Sequence, residues 1–247
     1  MKVRIDWLLV EQKLASDLRE AKGLIMAGLV VVNEQRVDKP GTMICGESKI
    51  RVKKRQFGRF VSRGGEKLYG AVMDLNISDR FRDAVVLDIG ASTGGFTDCS
   101  LYLGAKKVIA LDVGVAQLDW KLRSDSRVIC LEKTDIRNFD AKSYQDINFV
   151  VGDISFNSLS RLAFFIKRAA DREGVLWLLL IKPQFELPRC LVPRGGVVKD
   201  EALIELAISK VSDSLQELGI TKKGISRSRV KGNKGNQECF ILAEIAI

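Results

Sequence analysis

The chain has 247 residues, 46% hydrophobic and 29% charged, a composition that fits a folded globular protein and excludes disordered or collagen-like chains. At about 150 residues per domain, the length predicts one large domain or one domain plus a small module. Its 40 Lys+Arg against 31 Asp+Glu give a net +9, and it has no histidine, which excludes Ser-His-Asp and Cys-His catalysis, histidine-ligated metal and any imidazole base.

The charge is concentrated at the N-terminus. Residues 1–67 hold 15 basic and 8 acidic side chains, a net +7, and the other 180 carry only +2. An electropositive quarter of this kind attracts a polyanion, and nucleic acid is the expected partner. Five cysteines (Cys45, Cys99, Cys130, Cys190, Cys239) are widely spaced with no C-x-x-C pair, so they are expected as reduced core residues and no metal site is indicated. The longest apolar run, Val175 to Ile181, is short of the ~20 residues a membrane-spanning helix needs, and MKVRIDW lacks a signal peptide's apolar stretch. A cytoplasmic location is expected.

Ile5, Leu8 and Leu9 fall on one helical face, as do Leu18, Ala21, Leu24, Ile25 and Leu29 after an N-cap at Ser16 or Asp17, so two short helices open the chain. Gly28 is the expected C-cap of the second. A β-ribbon follows, from Leu29 to Asn33, with a turn at Asn33-Glu34 and a return through Arg36-Val37. RIDWLL, AKGLIMAGLVVVN and DKPG at these intervals resemble the S4 RNA-binding domain. That resemblance implies that Arg4, Arg19, Lys22, Arg36 and Lys39 meet RNA phosphates, contacts that supply affinity and position more than sequence choice.

KIRVKKRQFGRFVSRGGEK, residues 49–67, is basic and interrupted by aromatics. It is expected to track an RNA backbone through residues such as Arg59 and Arg63, to pack or stack Phe57 or Phe60, and to hinge at Gly58 and Gly64-Gly65. A boundary near residues 54–61 divides the chain into a small α+β module, 1–60, and an α/β domain, 61–247. In the latter, Val85 to Ile89, Lys107 to Asp112, Val128 to Leu131, Asn148 to Gly152 and Val175 to Ile181 are apolar and often β-branched. Helical patterns separate several of these runs, which predicts a mostly parallel sheet with both faces covered. A long helix over Glu201 to Leu218 and a last apolar segment, Glu238 to Ile247, complete the order.

VVLDIGASTGGFTD, residues 85–98, reads as a buried strand, a glycine-rich turn and a helix, the place where an open α/β sheet binds its ligand. No Gly-Lys-Ser/Thr follows, so it is not a P-loop. Gly90-x-Ser92-x-Gly94 has the form of a hydrolase nucleophile elbow, but the triad needs a histidine. The pattern D-x-G-x-x-x-G-G resembles motif I of class I S-adenosylmethionine methyltransferases, a Rossmann-like α/β fold. The resemblance implies that Asp88 meets the cofactor's amino-acid end, that Gly90, Ser92, Thr93, Gly94, Gly95 and Phe96 form its cradle, that Asp112 accepts ribose hydroxyls and that Asp135 selects the adenine. Each Asp has the alternative reading of a loop or helix cap.

Asp153 and Lys182 end the fourth and fifth apolar strands, and parallel strands deliver their C-terminal ends to one edge. A lysine there is placed to take a proton from a hydroxyl; the alternative is a lysine snorkelling from a hydrophobic strand. SRGGEKL, LDIGASTGGFTD, ALDVGVAQLDWKLRSD, GDISF, IKPQFE and GNQE occur in the order found in the TlyA family, an S4 domain joined to an FtsJ-like methyltransferase domain. The stretch SRSRVKGNKGNQE is more basic than that family's proline-containing S-P-x-x-G segment. Family members, once called haemolysins, are implied to be ribosomal RNA 2′-O-methyltransferases acting on cytidine in 16S or 23S RNA within ribosomal subunits. The Lys-Asp-Lys-Glu tetrad of FtsJ-like enzymes carries over to Lys67, Asp153, Lys182 and Glu238, with Lys182 as proton acceptor, Asp153 and Glu238 orienting it, and Lys67 stabilising alkoxide charge.

Three readings compete. Asp153-Ile-Ser-Phe156 is faintly similar to the D-P-P-Y motif of base amino-methyltransferases, but lacks both prolines. An RNA-binding ribosome-assembly factor without activity needs only the S4-like part. A membrane-lytic haemolysin needs a span or secretion signal that the sequence does not display.

Overall fold

Buried apolar runs fix where the sheet lies in the computed structural model, which describes residues 2–26, 29–37, 39–52, 59–232 and 235–245, the side chains of Arg19, Met26 and Arg36 excepted. The N-terminal part begins with β1 (Lys2–Arg4), α1 (Ile5–Glu11) and α2 (Leu18–Met26), followed by β2 (Val30–Val32), β3 (Gln35–Arg36), β4 (Met43–Cys45) and β5 (Ile50–Val52). Asp17 starts α2: its carboxylate accepts the Glu20 N–H at 2.7 Å, and Glu20 reaches back to the Ser16 N–H, the reciprocal pattern of a capping box. Asn33 and Glu34, both at positive φ, make the two-residue turn between β2 and β3 that the sequence predicts. Ile5, Leu9, Ala21, Ile25, Val30 and Val32 form a core of their own.

The basic segment 49–67 is more structured than expected. Its start is β5, paired antiparallel to β2, and its end is the N-cap and first turn of α3 (Arg63–Asp74). Gly64-Gly65 is therefore not a hinge: it sits inside α3, and Gly65 is needed there because a Cβ would come 2.4 Å from the Phe60 ring. Phe60 is buried and packs against Tyr69 and Tyr102. Gly28, Lys53, Lys54, Phe57 and Gly58 lie outside the described residues.

The rest of the chain builds a seven-stranded sheet from β6 (Val85–Ile89), β7 (Lys107–Leu111), β8 (Val128–Leu131), β9 (Phe149–Gly152), β10 (Leu176–Ile181), β11 (Ile220–Arg227) and β12 (Cys239–Ile245). The order is β11-β12-β10-β9-β6-β7-β8, parallel except for β12, which runs antiparallel between β10 and β11. Alternate strand residues serve opposite faces. Leu87, Ile109, Val150, Trp177, Leu179 and Ile241 pack under α6 (Leu159–Ala169) and α8 (Glu201–Glu217). Val86, Val108, Val151, Leu178, Leu180 and Phe240 pack under α3 and α4 (Gly95–Tyr102). Two short helices, α5 (Trp120–Arg123) and α7 (Pro183–Glu186), follow β7 and β10. The outcome is the three-layer Rossmann-like fold expected from the sequence. The strand β11 was not expected, because its Thr221-Lys222-Lys223 stretch is exposed and carries no apolar run.

The cysteines divide. Cys99 and Cys239 are buried, Cys130 is half-buried, and Cys45 and Cys190 are exposed rather than core residues; all five are free. Among the described residues no helix is long and apolar enough to cross a membrane.

Candidate active site

The C-terminal ends of β6, β9 and β10 open onto a cleft of about 690 Å³, within the range of about 300–1,000 Å³ that holds small-molecule ligands. Its wall is the turn after β6, where Gly90, Ser92, Thr93, Gly95 and Phe96 line the cleft. Gly90, at φ +78, lets this turn approach the neighbouring loop so closely that a Cβ would lie 2.9 Å from the Asp153 carbonyl oxygen. Gly94 is the N-cap of α4 and lies behind the wall, against Leu118 and Leu122. Phe96 is 5.8 Å, centroid to centroid, from Phe240.

Two ion pairs lie in this cleft. Lys67 Nζ is 2.6 Å from Glu238 Oε2, and Lys182 Nζ is 2.6 Å from Asp153 Oδ1 and donates to Ser155 Oγ at 2.5 Å. All four charged residues line the cleft, and the two lysines and Glu238 are buried. Each comes from a different element: Lys67 from α3, Asp153 from the exit of β9, Lys182 from the exit of β10, and Glu238 from the entry of β12. Glu238 thus pairs with Lys67 and not, as the sequence reading had it, with Lys182.

The expected cofactor acids are arranged differently from one another. Asp88 is fully buried beneath the turn, accepts from Thr97 Oγ1 at 2.6 Å and leaves Oδ1 without a partner. Burial drives its carboxyl up to about 7; the Thr97 hydrogen bond opposes this, and the charges of Asp153 and Asp112 add to it. Asp112 accepts the N–H of Ser92 and of Gly114, both at 2.7 Å, at the edge of a crevice of about 10 Å³ that Gln117 closes by accepting from Ser92 Oγ at 3.2 Å. Asp135 stands apart from the cleft. It caps the short 3-10 turn Ile136–Asn138 and pairs with Arg137, whose guanidinium holds its carboxyl below the usual range. For Asp135 the geometry is that of a cap.

The expected RNA contacts also divide. Arg4 is tied in a fork to buried Asp6 at 3.0 and 2.7 Å, while Lys22 and Lys39 are exposed. Arg63 is exposed at the cleft mouth. Arg59 lies over the rings of Tyr69 and Tyr102, 4.4 and 5.0 Å from their centroids, and its backbone N–H donates to Glu66. The side chains of Arg19 and Arg36 lie outside the described ones. Next to Arg59, the Val61 N–H donates to Asp98 on α4 at 2.9 Å, which fastens the chain entering α3 to the helix behind the turn.

Sequence reasoning missed several cleft residues. Ser155, Phe156, Gln184 and Phe185 lie within GDISF and IKPQFE, the motif strings that gave Asp153 and Lys182, and their polar or aromatic character at strand ends was the available signal. Phe156 is 88% exposed, at φ +64, with its ring 5.5 Å from that of Phe185. Asn236, also in the cleft, is buried; it accepts the Val198 N–H at 2.8 Å and donates to the Gly196 carbonyl at 2.9 Å, which fixes the approach to Glu238.

S-adenosylmethionine fits these residues. The cleft has the volume for it, and the turn that walls it offers Ser92 and Thr93 beside glycine backbone; Asp112 stands at the end of the next strand on a neighbouring crevice, whereas Asp88, fully buried behind the turn, supports the turn and does not meet the cofactor as the sequence implied.

Comparison with known proteins gives the same architecture. The FtsJ-like methyltransferase family matches residues 60–245 and the S4 domain matches residues 3–50. YqxC of Bacillus subtilis is 41% identical over 98% of this chain and 85% of its own length. The 16S/23S rRNA (cytidine-2'-O)-methyltransferase TlyA of Mycobacterium tuberculosis is 37% identical over 97% of this chain and 89% of its own. A solved structure of a hemolysin-named protein from Streptococcus thermophilus superposes with a TM-score of 0.72 at 37% identity, covering 99% of this chain and 89% of that one.

Proposed function

The chain belongs to the TlyA family, an S4 domain joined to an FtsJ-like methyltransferase, and from that premise we propose that it methylates the 2′-hydroxyl of cytidine in ribosomal RNA, with S-adenosylmethionine as donor. The observation that carries the proposal is the pair of buried lysine–carboxylate contacts, Lys182–Asp153 and Lys67–Glu238, in one cleft beside the glycine turn. In this reading residues 1–60 bind RNA, residues 61–247 carry out the transfer, and the substrate is the RNA of 16S or 23S type presented in ribosomal subunits in the cytoplasm.

S-adenosylmethionine would supply a methyl group on a sulfonium whose leaving group is a neutral thioether, so no acid is needed on the leaving side. The protein's task is to orient a ribose hydroxyl and accept its proton. Lys182, in an ion pair 2.6 Å from Asp153 Oδ1 and donating to Ser155 Oγ, is the group placed to accept the hydroxyl proton, and Asp153 orients it. Lys67, held by Glu238, places its ammonium where alkoxide charge develops. Exposed Phe156, backed by half-buried Phe185, offers an aromatic surface lining the cleft on which the base of an unstacked nucleotide rests. That arrangement favours a single extruded nucleotide over a continuous duplex.

Transfer of labelled methyl to unmodified ribosomal subunits, followed by nuclease digestion, tests the proposal. Label on a cytidine 2′-oxygen is expected, abolished by Lys182→Ala with cofactor binding retained. Label on a base refutes it in favour of an amino-methyltransferase, and RNA binding without transfer refutes it in favour of an assembly factor.

A further inference from the structure

Glu186 is 2% exposed and is not part of the cleft wall, yet its carboxylate is committed entirely to the junction where the loop that carries Asp153 enters α6. Oε1 accepts the backbone N–H of Leu159 at 2.6 Å; Oε2 accepts Ser158 Oγ at 2.6 Å and Ser160 Oγ at 3.2 Å. Leu159 is the first residue of α6, and the side chain of its N-cap, Ser158, makes no capping bond to the helix. The helix is therefore capped by a carboxylate 27 residues further along the chain, delivered by the last residue of α7, the short helix whose N-cap is Lys182. From the other side, the Glu186 carbonyl accepts Lys210 Nζ of α8.

The two strand-end loops thus meet at successive points. Asp153 and Ser155 contact Lys182, Phe156 contacts Phe185, and Ser158, Leu159 and Ser160 contact Glu186. Between the end of β9 and the Glu186 anchor at Ser158 lie five residues, and among them Phe156 adopts a left-handed backbone at φ +64. A bulky aromatic residue is rarely found there and stays only when its surroundings over-determine it. At 88% exposure, Phe156 has little packing of its own to hold that conformation. The restraint falls on the two ends of the loop.

We infer that Glu186 is a positioning residue for the methyl-transfer site: its carboxylate holds the 153–158 loop against the Lys182–Phe185 segment, so that Asp153 and Ser155 stay on Lys182 and Phe156 stays left-handed. The inference rests on the function proposed above. Gln has the shape of Glu but only one acceptor oxygen, so Glu186→Gln gives up part of the three-fold anchor while filling the same space.

The experiment compares the full chain with Glu186→Gln, Phe156→Gly and the double variant, measuring kcat and KM for ribosomal RNA, S-adenosylmethionine binding by calorimetry, and urea unfolding. Glu186→Gln is expected to lower kcat at least tenfold with cofactor affinity within twofold. Phe156→Gly removes the backbone strain, so the unfolding midpoint shift caused by Glu186→Gln is expected to shrink in its background. Ser158→Ala, which removes one donor and leaves the carboxylate, gives a smaller change of the same kind and serves if Glu186→Gln does not fold. An unchanged kcat in both variants, or strictly additive midpoint shifts with Phe156→Gly, overturns the inference and leaves Glu186 as a simple helix cap. Absence of methyl transfer by the unaltered chain overturns the proposed function instead, and the unfolding cycle still decides whether Glu186 holds the loop.

Discussion

Replacing Asp88 with Asn changes how the stability of the fold depends on pH. The carboxyl sits at about 7 in the folded chain, chiefly because burial disfavours its charge, against 3.8 for an ordinary Asp. The native state then keeps a proton that the unfolded chain has released. Stability from this group is complete below pH 3.8 and is lost as pH rises through 7. At about 1.36 kcal/mol per pH unit, with the curve flattening around 7, unfolding free energy falls by about 2.5 kcal/mol between pH 5 and pH 8. An Asn side chain keeps the shape and cannot titrate, so the wild-type minus Asp88→Asn difference follows that fall while other groups cancel. Urea unfolding of both proteins at pH 5, 6, 7 and 8 measures it. A difference that stays flat across this range refutes the burial argument and means that Asp88 is ionised in the folded state.

Three other substitutions probe the site. A Cβ at Gly232 would lie 2.2 Å from Glu238 Oε1, so Gly232→Ala is expected to displace Glu238 from Lys67 and lower single-turnover methyl transfer tenfold or more, with calorimetric cofactor affinity little changed. Gly65→Ala drives a methyl into the Phe60 ring and should cost about 1–3 kcal/mol in denaturant unfolding, as overpacking does. Gln117→Ala removes the hydrogen bond to Ser92 that closes the Asp112 crevice, and stopped-flow measurement should show faster S-adenosylmethionine association.

The parts of the fold that can be read in the sequence are those dictated by burial. The strands β9 and β10 are apolar on both faces because both are covered, and β6 and β7 are so except at Asp88 and Lys107, so each stands out as an apolar run. The edge strand β11 is held by pairing to β12 and kept soluble by Lys222 and Lys223, so it looks like a loop. Strand-end logic identifies Asp153 and Lys182, because a polar residue closing an apolar parallel strand has one edge to face. It does not reveal which lysine Glu238 meets, since that depends on β12 entering the sheet antiparallel between β10 and β11. Nor does it separate Asp112, held beside the small crevice behind the glycine turn by two backbone amides, from Asp135, whose local Arg137 and helix start claim its carboxylate. Glycine pairs mislead for a related reason: Gly64-Gly65 reads as freedom, whereas Phe60 and α3 use the missing side chains as packing space.

The antiparallel β12 also sets the order in which the molecule becomes competent during synthesis. Lys67 and Glu238 are 171 positions apart, and Glu238 takes its place only once β12 has slotted between strands made earlier. A nascent chain with its first six sheet strands out of the exit tunnel has the glycine turn, Asp153 and Lys182, but Lys67 has no counter-ion and β10 and β11 lack the strand that joins them. Such a chain is an unfinished sheet in which the outer edge of β10 and both edges of β11 are unpaired, exposed to mispairing until β12 joins them. Competence therefore arrives in one late step, after translation of the fold is essentially over.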